Sequence, residues 1–189
     1  MVDATTVVFE THSWSEDNDR SVATGWLPGR LSERGRELAA ELGDRRRGDG
    51  LDAVFSSDLE RAAETTRIAF SGMTLPVFLD WRLRECDYGR LNGAPAAQMA
   101  AEKPARIRTP YPGGESWEQA LDRVLGFLRD VTSRWQGRRV LVIGHVATRW
   151  ELDHFVNGIS IEELIASDFG WREGWEFTVT SSGLPTAAS

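Results

Sequence analysis

A single cysteine, Cys86, leaves this chain without an internal disulfide framework and suits a reducing compartment such as the cytoplasm. A single lysine, Lys103, and a net charge of −7 argue against a general nucleic-acid binder. No run approaches the roughly 18 consecutive apolar residues of a membrane span, so no membrane partner is expected. No Lys or Arg precedes Arg20, which does not match a secretory signal. There is no internal repeat. Histidine is scarce as well, with three in the chain, and the positions of two of them raise the main question.

What is present suits one ordinary globular domain. The 189 residues are 41% hydrophobic and 27% charged, and a chain of this length buries about 70% of the surface it exposes when unfolded. Residues 1–180 read as a single domain. The small, polar stretch "SSGLPTAAS" (181–189) reads as a disordered tail.

Short apolar runs at 5–10, 52–57, 75–80, 139–144 and 175–180 read as strands, continuous rather than alternating in the clearest cases. Between them, helices are expected over 31–47 with Ser32 as N-cap, 58–70 capped by Asp58 or Ser57, 115–135, 147–158 ending on Gly158, and 160–167. Ser116 and Gln119 have capping-box spacing at the start of the longest one. The Arg45–Arg47 run reads as a solvated last turn that complements the helix dipole. Residues 86–115, rich in Gly and Pro, read as a long loop with at most a short helix. Strands alternating with helices imply a three-layer α/β/α fold with a mainly parallel sheet, and ligands in such folds sit outside the carboxyl ends of the strands.

His12 follows the first strand, and His145 the fourth. Arg61 opens the helix after the second strand, and Glu85 lies in the loop beyond the third. Two imidazoles, a guanidinium and a carboxylate at one sheet edge suit phosphoryl transfer. A neutral imidazole is a nucleophile, arginine forks onto phosphate oxygens, and a carboxyl group carries the leaving-group proton. Taken alone, Arg61 reads better as the ion-pair partner of Asp58 or Glu64. His154, mid-helix beside Trp150 and Phe155, reads as packing. Cys86 reads as a small buried side chain rather than a nucleophile.

The segments "THSWSEDN…ATGWLPGRLSERG", "SSDLERAAETT", "LRECDYGRLNG", "PGGES" and "VLVIGH" together resemble the histidine phosphatase superfamily, or phosphoglycerate-mutase-like proteins, from about residue 5 to 180. The resemblance implies that His12 attacks phosphorus and becomes a phosphohistidine. It implies that Arg61 clamps phosphate oxygens, that His145 donates to them, and that Glu85 serves as acid and then base. Thr11, Ser13, Asn18, Thr24, Gly25, Tyr88 and Val146 fall where the family contacts phosphate or substrate. No metal and no cofactor is implied, and the expected partner is a small-molecule phosphoester.

The chain departs from the pattern in three places. Thr11 stands where the family has arginine, Val146 where a smaller residue is usual, and Glu10 where an apolar one sits. Losing a charge-assisted donor at a transferring phosphoryl group costs about 3 kcal/mol, roughly a hundredfold in rate. Ser13, Arg20, Arg84 and Arg149 are candidates to compensate. These departures keep open a diverged member that binds a ligand without turnover or runs other acid/base chemistry. A metal site of His12, His145 and Glu85 is a further reading, without any close-spaced ligand pair to support it. Trp14 and Trp26 lie near the expected pocket mouth, where packing is the favoured reading. The run "FGWREGWEF" (169–177) reads either as cover for the sheet edge or as an oligomer contact, such as a homodimer.

Overall fold

Val7–Phe9 and Val140–Ile143 bury their side chains on both faces of the pleat, so each strand must be covered on both sides. They form the middle of the sheet. The computed structural model describes residues 4–184. In chain order these form β1 (Ala4–Thr11), α1 (Glu16–Asp19), β2 (Val22–Ala23), α2 (Glu33–Arg46), β3 (Ala53–Ser56), α3 (Glu60–Ala69) and β4 (Val77–Leu79). There follow β5 (Ala94–Pro95), α4 (Ala96–Glu102), α5 (Trp117–Arg134), β6 (Arg139–Gly144), α6 (Val146–Asn157), α7 (Ile161–Ala166) and β7 (Trp175–Thr180). The sheet runs β4-β3-β6-β1-β7, all parallel except β7, which pairs antiparallel with β1.

Helices cover both faces. Phe9, Phe55 and Val142 pack with Phe127 and Leu128 of α5 and Leu152 of α6 on one side. On the other, Val8, Leu141 and Ile143 meet Leu42 of α2 and Ala62 of α3. Leu121, Val124, Leu128 and Val131 follow helical spacing on α5, and burying each stabilises the fold by about 2 kcal/mol. The expected caps of α2, α5 and α6 are present. Ser32 accepts from the Gly35 N–H, and Ser116 and Gln119 form a reciprocal capping box. Gly158 ends α6 in the left-handed conformation that its lack of Cβ permits.

Three local expectations need correction. The 86–115 segment contains β5, which pairs with β2 as a two-residue ribbon, and the seven-residue α4. Elements this short carry no readable periodicity. Neither Asp58 nor Ser57 is the N-cap of α3, since Leu59 takes that place, although the Ser57 hydroxyl accepts from the Leu59 N–H. The first four residues of the tail expected from residue 181 are structured, because Ser181–Gly183 form a turn capped by Thr180 and Leu184 is buried against the core. Residues 185–189 of that expected tail lie outside the described residues. Among the described residues, no helix is long and apolar enough to cross a membrane.

One core group stands apart from this packing. Glu151 of α6 is fully buried, and neither of its carboxyl oxygens has a hydrogen-bond partner among the described residues. Burial, with repulsion from Asp122 added, pushes its pKa up to about 10 against a smaller opposing pull from Arg129. The folded state therefore holds this proton more tightly than the unfolded chain does. Its contribution to stability is fully present below pH 4.5 and is lost as pH rises towards 10. Glu151→Gln removes that dependence. Urea denaturation should show the variant gaining about 4 kcal/mol on wild type between pH 5 and pH 8. A difference that stays constant with pH would mean that Glu151 is ionised and stabilised in the core.

Candidate active site

The sheet register places the two histidines side by side. Thr11 of β1 pairs with Gly144 of β6, so the next residues, His12 and His145, leave the carboxyl edge together. The His12 N–H extends the ladder by donating to the Gly144 carbonyl at 3.0 Å, and the imidazole centroids lie 5.0 Å apart. Gly144 is required there, since a Cβ would come within 2.6 Å of the Thr148 hydroxyl.

Arg61 joins the pair. It lies in the first turn of α3 at 2% exposure. Its Nε donates to His12 Nε2 at 3.3 Å, and one terminal nitrogen lies 3.3 Å from His145 Nδ1 and 3.0 Å from the Gly25 carbonyl. Its other terminal nitrogen, Nη1, is buried without a partner. The structural alternatives for Arg61 are taken by other arginines, since Asp58 is engaged with Arg84 and Glu64 with Arg36.

These contacts set the tautomers. His12 Nδ1 faces the Ser13 carbonyl at 2.7 Å and so carries the proton, which leaves Nε2 as the lone-pair nitrogen towards Arg61. In His145, Nδ1 accepts from Arg61, and Nε2–H points at the Ser57 hydroxyl at 3.0 Å. Burial, reinforced by the Arg61 charge, lowers the His12 pKa to about 3 and drives that of His145 well below its usual range. Both rings are therefore neutral at physiological pH. Burial also pulls the Arg61 pKa down, countered by Glu85, but a guanidinium stays charged.

Glu85 is fixed by backbone donors at the start of α6. Cys86 N–H and Ala147 N–H donate to one carboxylate oxygen at 3.0 and 3.2 Å, and Val146 N–H to the other at 3.3 Å. The main chain of Glu85 is held in turn, because its carbonyl accepts from the Trp26 indole at 2.6 Å and from Arg123 at 2.7 Å. Trp26 thus positions the carboxylate from behind.

His12, Arg61, Glu85 and His145 all line one cavity of about 570 Å³, together with Thr11, Ser13, Asn18, Thr24, Gly25, Tyr88 and Val146. Several of the latter also make fixed contacts within the protein. Gly25 takes a left-handed backbone (φ 56°) in which a Cβ would collide with the Asn92 side chain, and its carbonyl holds Arg61. The Thr24 hydroxyl donates to Asp17 at 2.7 Å. Asn18 uses its side-chain oxygen to cap α1 through Ser15, and Tyr88 packs on Tyr111 beneath the cavity. The Val146 N–H is engaged by Glu85. His154 bonds to the Ile159 carbonyl and does not line the cavity. The buried Cys86 thiol has its pKa raised, first by burial and then by Glu85, and is no nucleophile. Among the described residues, no set of three His, Cys, Asp or Glu side chains is placed to hold a metal.

None of the expected substitutes for an arginine at position 11 reaches the cavity as a free donor. The Ser13 hydroxyl donates to the Gly35 carbonyl at 2.6 Å. Arg20 pairs with Asp17, Arg84 with Asp58, and Arg149 with Asp153. Glu10, at 1% exposure, is explained by the run expected to be solvated. Arg46 contacts it twice, at 2.7 and 2.9 Å, and Arg45 lies 3.5 Å away. Burial raises the Glu10 pKa, and these arginines oppose the shift. Arg45 also lines the cavity, as do Arg34, Leu38 and Glu41 of α2 and Phe169, Trp171 and Glu173 before β7. Sequence reasoning missed this second wall. The spacing of 34, 38, 41 and 45 along one helix face was its available signal.

A model of the histidine phosphatase superfamily (branch 1) matches residues 9–169. The 2,3-bisphosphoglycerate-dependent phosphoglycerate mutase of Neisseria meningitidis is 31% identical over 84% of this chain and 88% of its own length. Among solved structures, Bacillus stearothermophilus YhfR is 25% identical with a TM-score of 0.78, covering 89% of this chain and 88% of that one. A mycobacterial glucosyl-3-phosphoglycerate phosphatase in complex with VO3 is also 25% identical, with a TM-score of 0.72 and 86% coverage of both chains. Sheet order, site geometry and these matches agree, and the chain belongs to the histidine phosphatase superfamily.

Proposed function

We propose that this protein is a phosphomonoesterase that hydrolyses a small phosphorylated metabolite through a phosphohistidine on His12. The observation that carries the reading is the neutral Nε2 of His12, held beside Arg61 and His145 in an open cavity.

In the first step Nε2 attacks phosphorus, the N–P bond forms, and the bond to the leaving oxygen breaks. Ser13 bears on the charge that develops on the ring, because its carbonyl already holds Nδ1–H. Arg61 exchanges its long contact with Nε2 for phosphate oxygens, and its unpartnered Nη1 supplies a further donor. His145 takes up a proton with the dianionic substrate and donates from Nδ1. Glu85, which takes up a proton as the substrate binds, gives it to the leaving oxygen and then, as the carboxylate, removes one from the water that attacks phosphohistidine, releasing phosphate and free His12.

A phosphatase is favoured over a mutase by the segment after Glu85, although Arg34 and Arg45 of α2 line the cavity. A mutase must retain a doubly phosphorylated intermediate, which calls for extra cations. Arg90, Lys103, Arg106 and Arg108, in the segment that would supply them, do not line the cavity. Arg106 pairs with Glu102, Arg108 with Glu118, and Lys103 lies over Trp150. The vacancy at Thr11 favours a second reading, a member that binds phosphoesters with little turnover.

Phosphate release from a panel of monoesters tests the main reading. Wild type should release phosphate and His12→Ala should lose at least about a thousandfold, as expected when the nucleophile is removed. Quenched wild type should carry acid-labile phosphate on His12. Equal rates in the two proteins would contradict a phosphohistidine route. Thr11→Arg should raise kcat/KM on the same panel by about tenfold or more, through one added charge-assisted donor. No gain, or a loss, would mean that the pocket has been rebuilt for other chemistry.

A further inference from the structure

The cavity is larger than a phosphate group requires, and its 570 Å³ falls in the roughly 300–1,000 Å³ range of sites that enclose a whole small ligand. Its wall changes character away from His12. Trp14 comes from the loop after β1, and Phe169 and Trp171 from the segment between α7 and β7, so three rings face one space. Trp14 and Trp171 are 39% and 60% exposed, whereas Trp117 and Trp150 elsewhere are buried. Two of the three rings are fixed before any ligand arrives. The Trp14 indole donates to Asp19 at 2.7 Å, and Phe169 rests on Trp175 at 5.7 Å.

Charge on the same wall narrows the choice. Glu10, Glu41 and Glu173 supply three carboxylates, against two guanidiniums, Arg34 and Arg45. Arg45 stands between Glu10 and Glu173 at 3.5 and 3.9 Å, and Arg34 lies 5.5 Å from the Trp14 ring centre. Glu10 is already neutralised by Arg46, which leaves the wall close to charge balance. Glu41 pairs with no cation among the described residues and is available to accept from a hydroxyl or amine.

We infer that the phosphoester carries a ring-bearing alcohol with hydroxyl or amine groups, its ring seated against Trp14, Phe169 and Trp171. This rests on the phosphatase reading for turnover, but not for binding. The test therefore has a binding arm and a rate arm. Benzylphosphonate and ethylphosphonate, which are not hydrolysed, are titrated into wild type, Trp171→Ala and Trp14→Ala by calorimetry. Benzyl phosphate, ethyl phosphate and 3-phosphoglycerate are compared by kcat/KM. The first two are esters of primary alcohols, so intrinsic leaving-group reactivity nearly cancels.

Wild type should bind benzylphosphonate at least about tenfold more tightly than ethylphosphonate, and the ratio should fall below about threefold in Trp171→Ala. Benzyl phosphate should exceed 3-phosphoglycerate by about tenfold in kcat/KM. Equal binding of the two phosphonates, a ratio unchanged in both tryptophan variants, or a preference for 3-phosphoglycerate would overturn the inference while leaving a phosphatase in place. A phosphonate preference with no turnover of any ester would instead support the ring site and remove the phosphatase reading.

Discussion

The contact between Arg61 and the two imidazoles is the constraint on which the site depends. One buried cation must lie against two nitrogen lone pairs, and each ring must present the unprotonated nitrogen to it. Both rings meet that requirement because their far nitrogens have fixed partners, the Ser13 carbonyl and the Ser57 hydroxyl. Burial and the Arg61 charge then push both imidazoles in the same direction, towards the neutral form. An imidazole poised in this way would need no general base to act as a nucleophile, since its lone pair is already free.

The fold exists around that contact in a direct sense. Parallel pairing of β1 with β6, locked by buried Val, Ile and Phe side chains, fixes the separation of His12 and His145. The start of α3 brings Arg61 over them, and the N-terminus of α6 holds Glu85 through backbone N–H groups. Gly25, Trp26 and Arg123 hold these groups from behind rather than touching a reacting atom. The Glu10–Arg46 pair docks the end of α2 on β1, and Arg46 also reaches the Glu173 carbonyl. One buried ion pair therefore links the sheet to the segment that carries Phe169 and Trp171.

Much of this was legible in the sequence, for physical reasons. Continuous apolar runs specify covered strands, and Ser32, Ser116 and Gln119 specify helix starts through hydrogen bonds local to a few residues. His12 and His145 were legible because a buried strand does not end on an imidazole for packing alone, and Arg61 and Glu85 through the resemblance of the segments that carry them. The Arg45–Arg47 run was not legible, since a basic last helical turn looks the same whether it meets water or Glu10, some 35 residues away in sequence. The roles of Gly25 and Thr24 were hidden for a related reason. Their partners, Arg61 and Asp17, are set by the tertiary path of the first loop. The ring-lined wall needed the juxtaposition of α2 with residues 169–173, which no local pattern encodes. The segment 86–115 carried two elements too short to give a period.

Burial and the Arg61 charge hold His12 neutral, with Nε2 free and Nδ1 protonated. Nitrogen-resolved NMR of the His12 ring, followed from pH 8 down to pH 5, tests this most directly. The account predicts an unprotonated Nε2 and a protonated Nδ1 across the whole range, because the pKa lies at about 3. An imidazole that gains its second proton near its ordinary pKa of about 6.5, or that carries its single proton on Nε2, would contradict it.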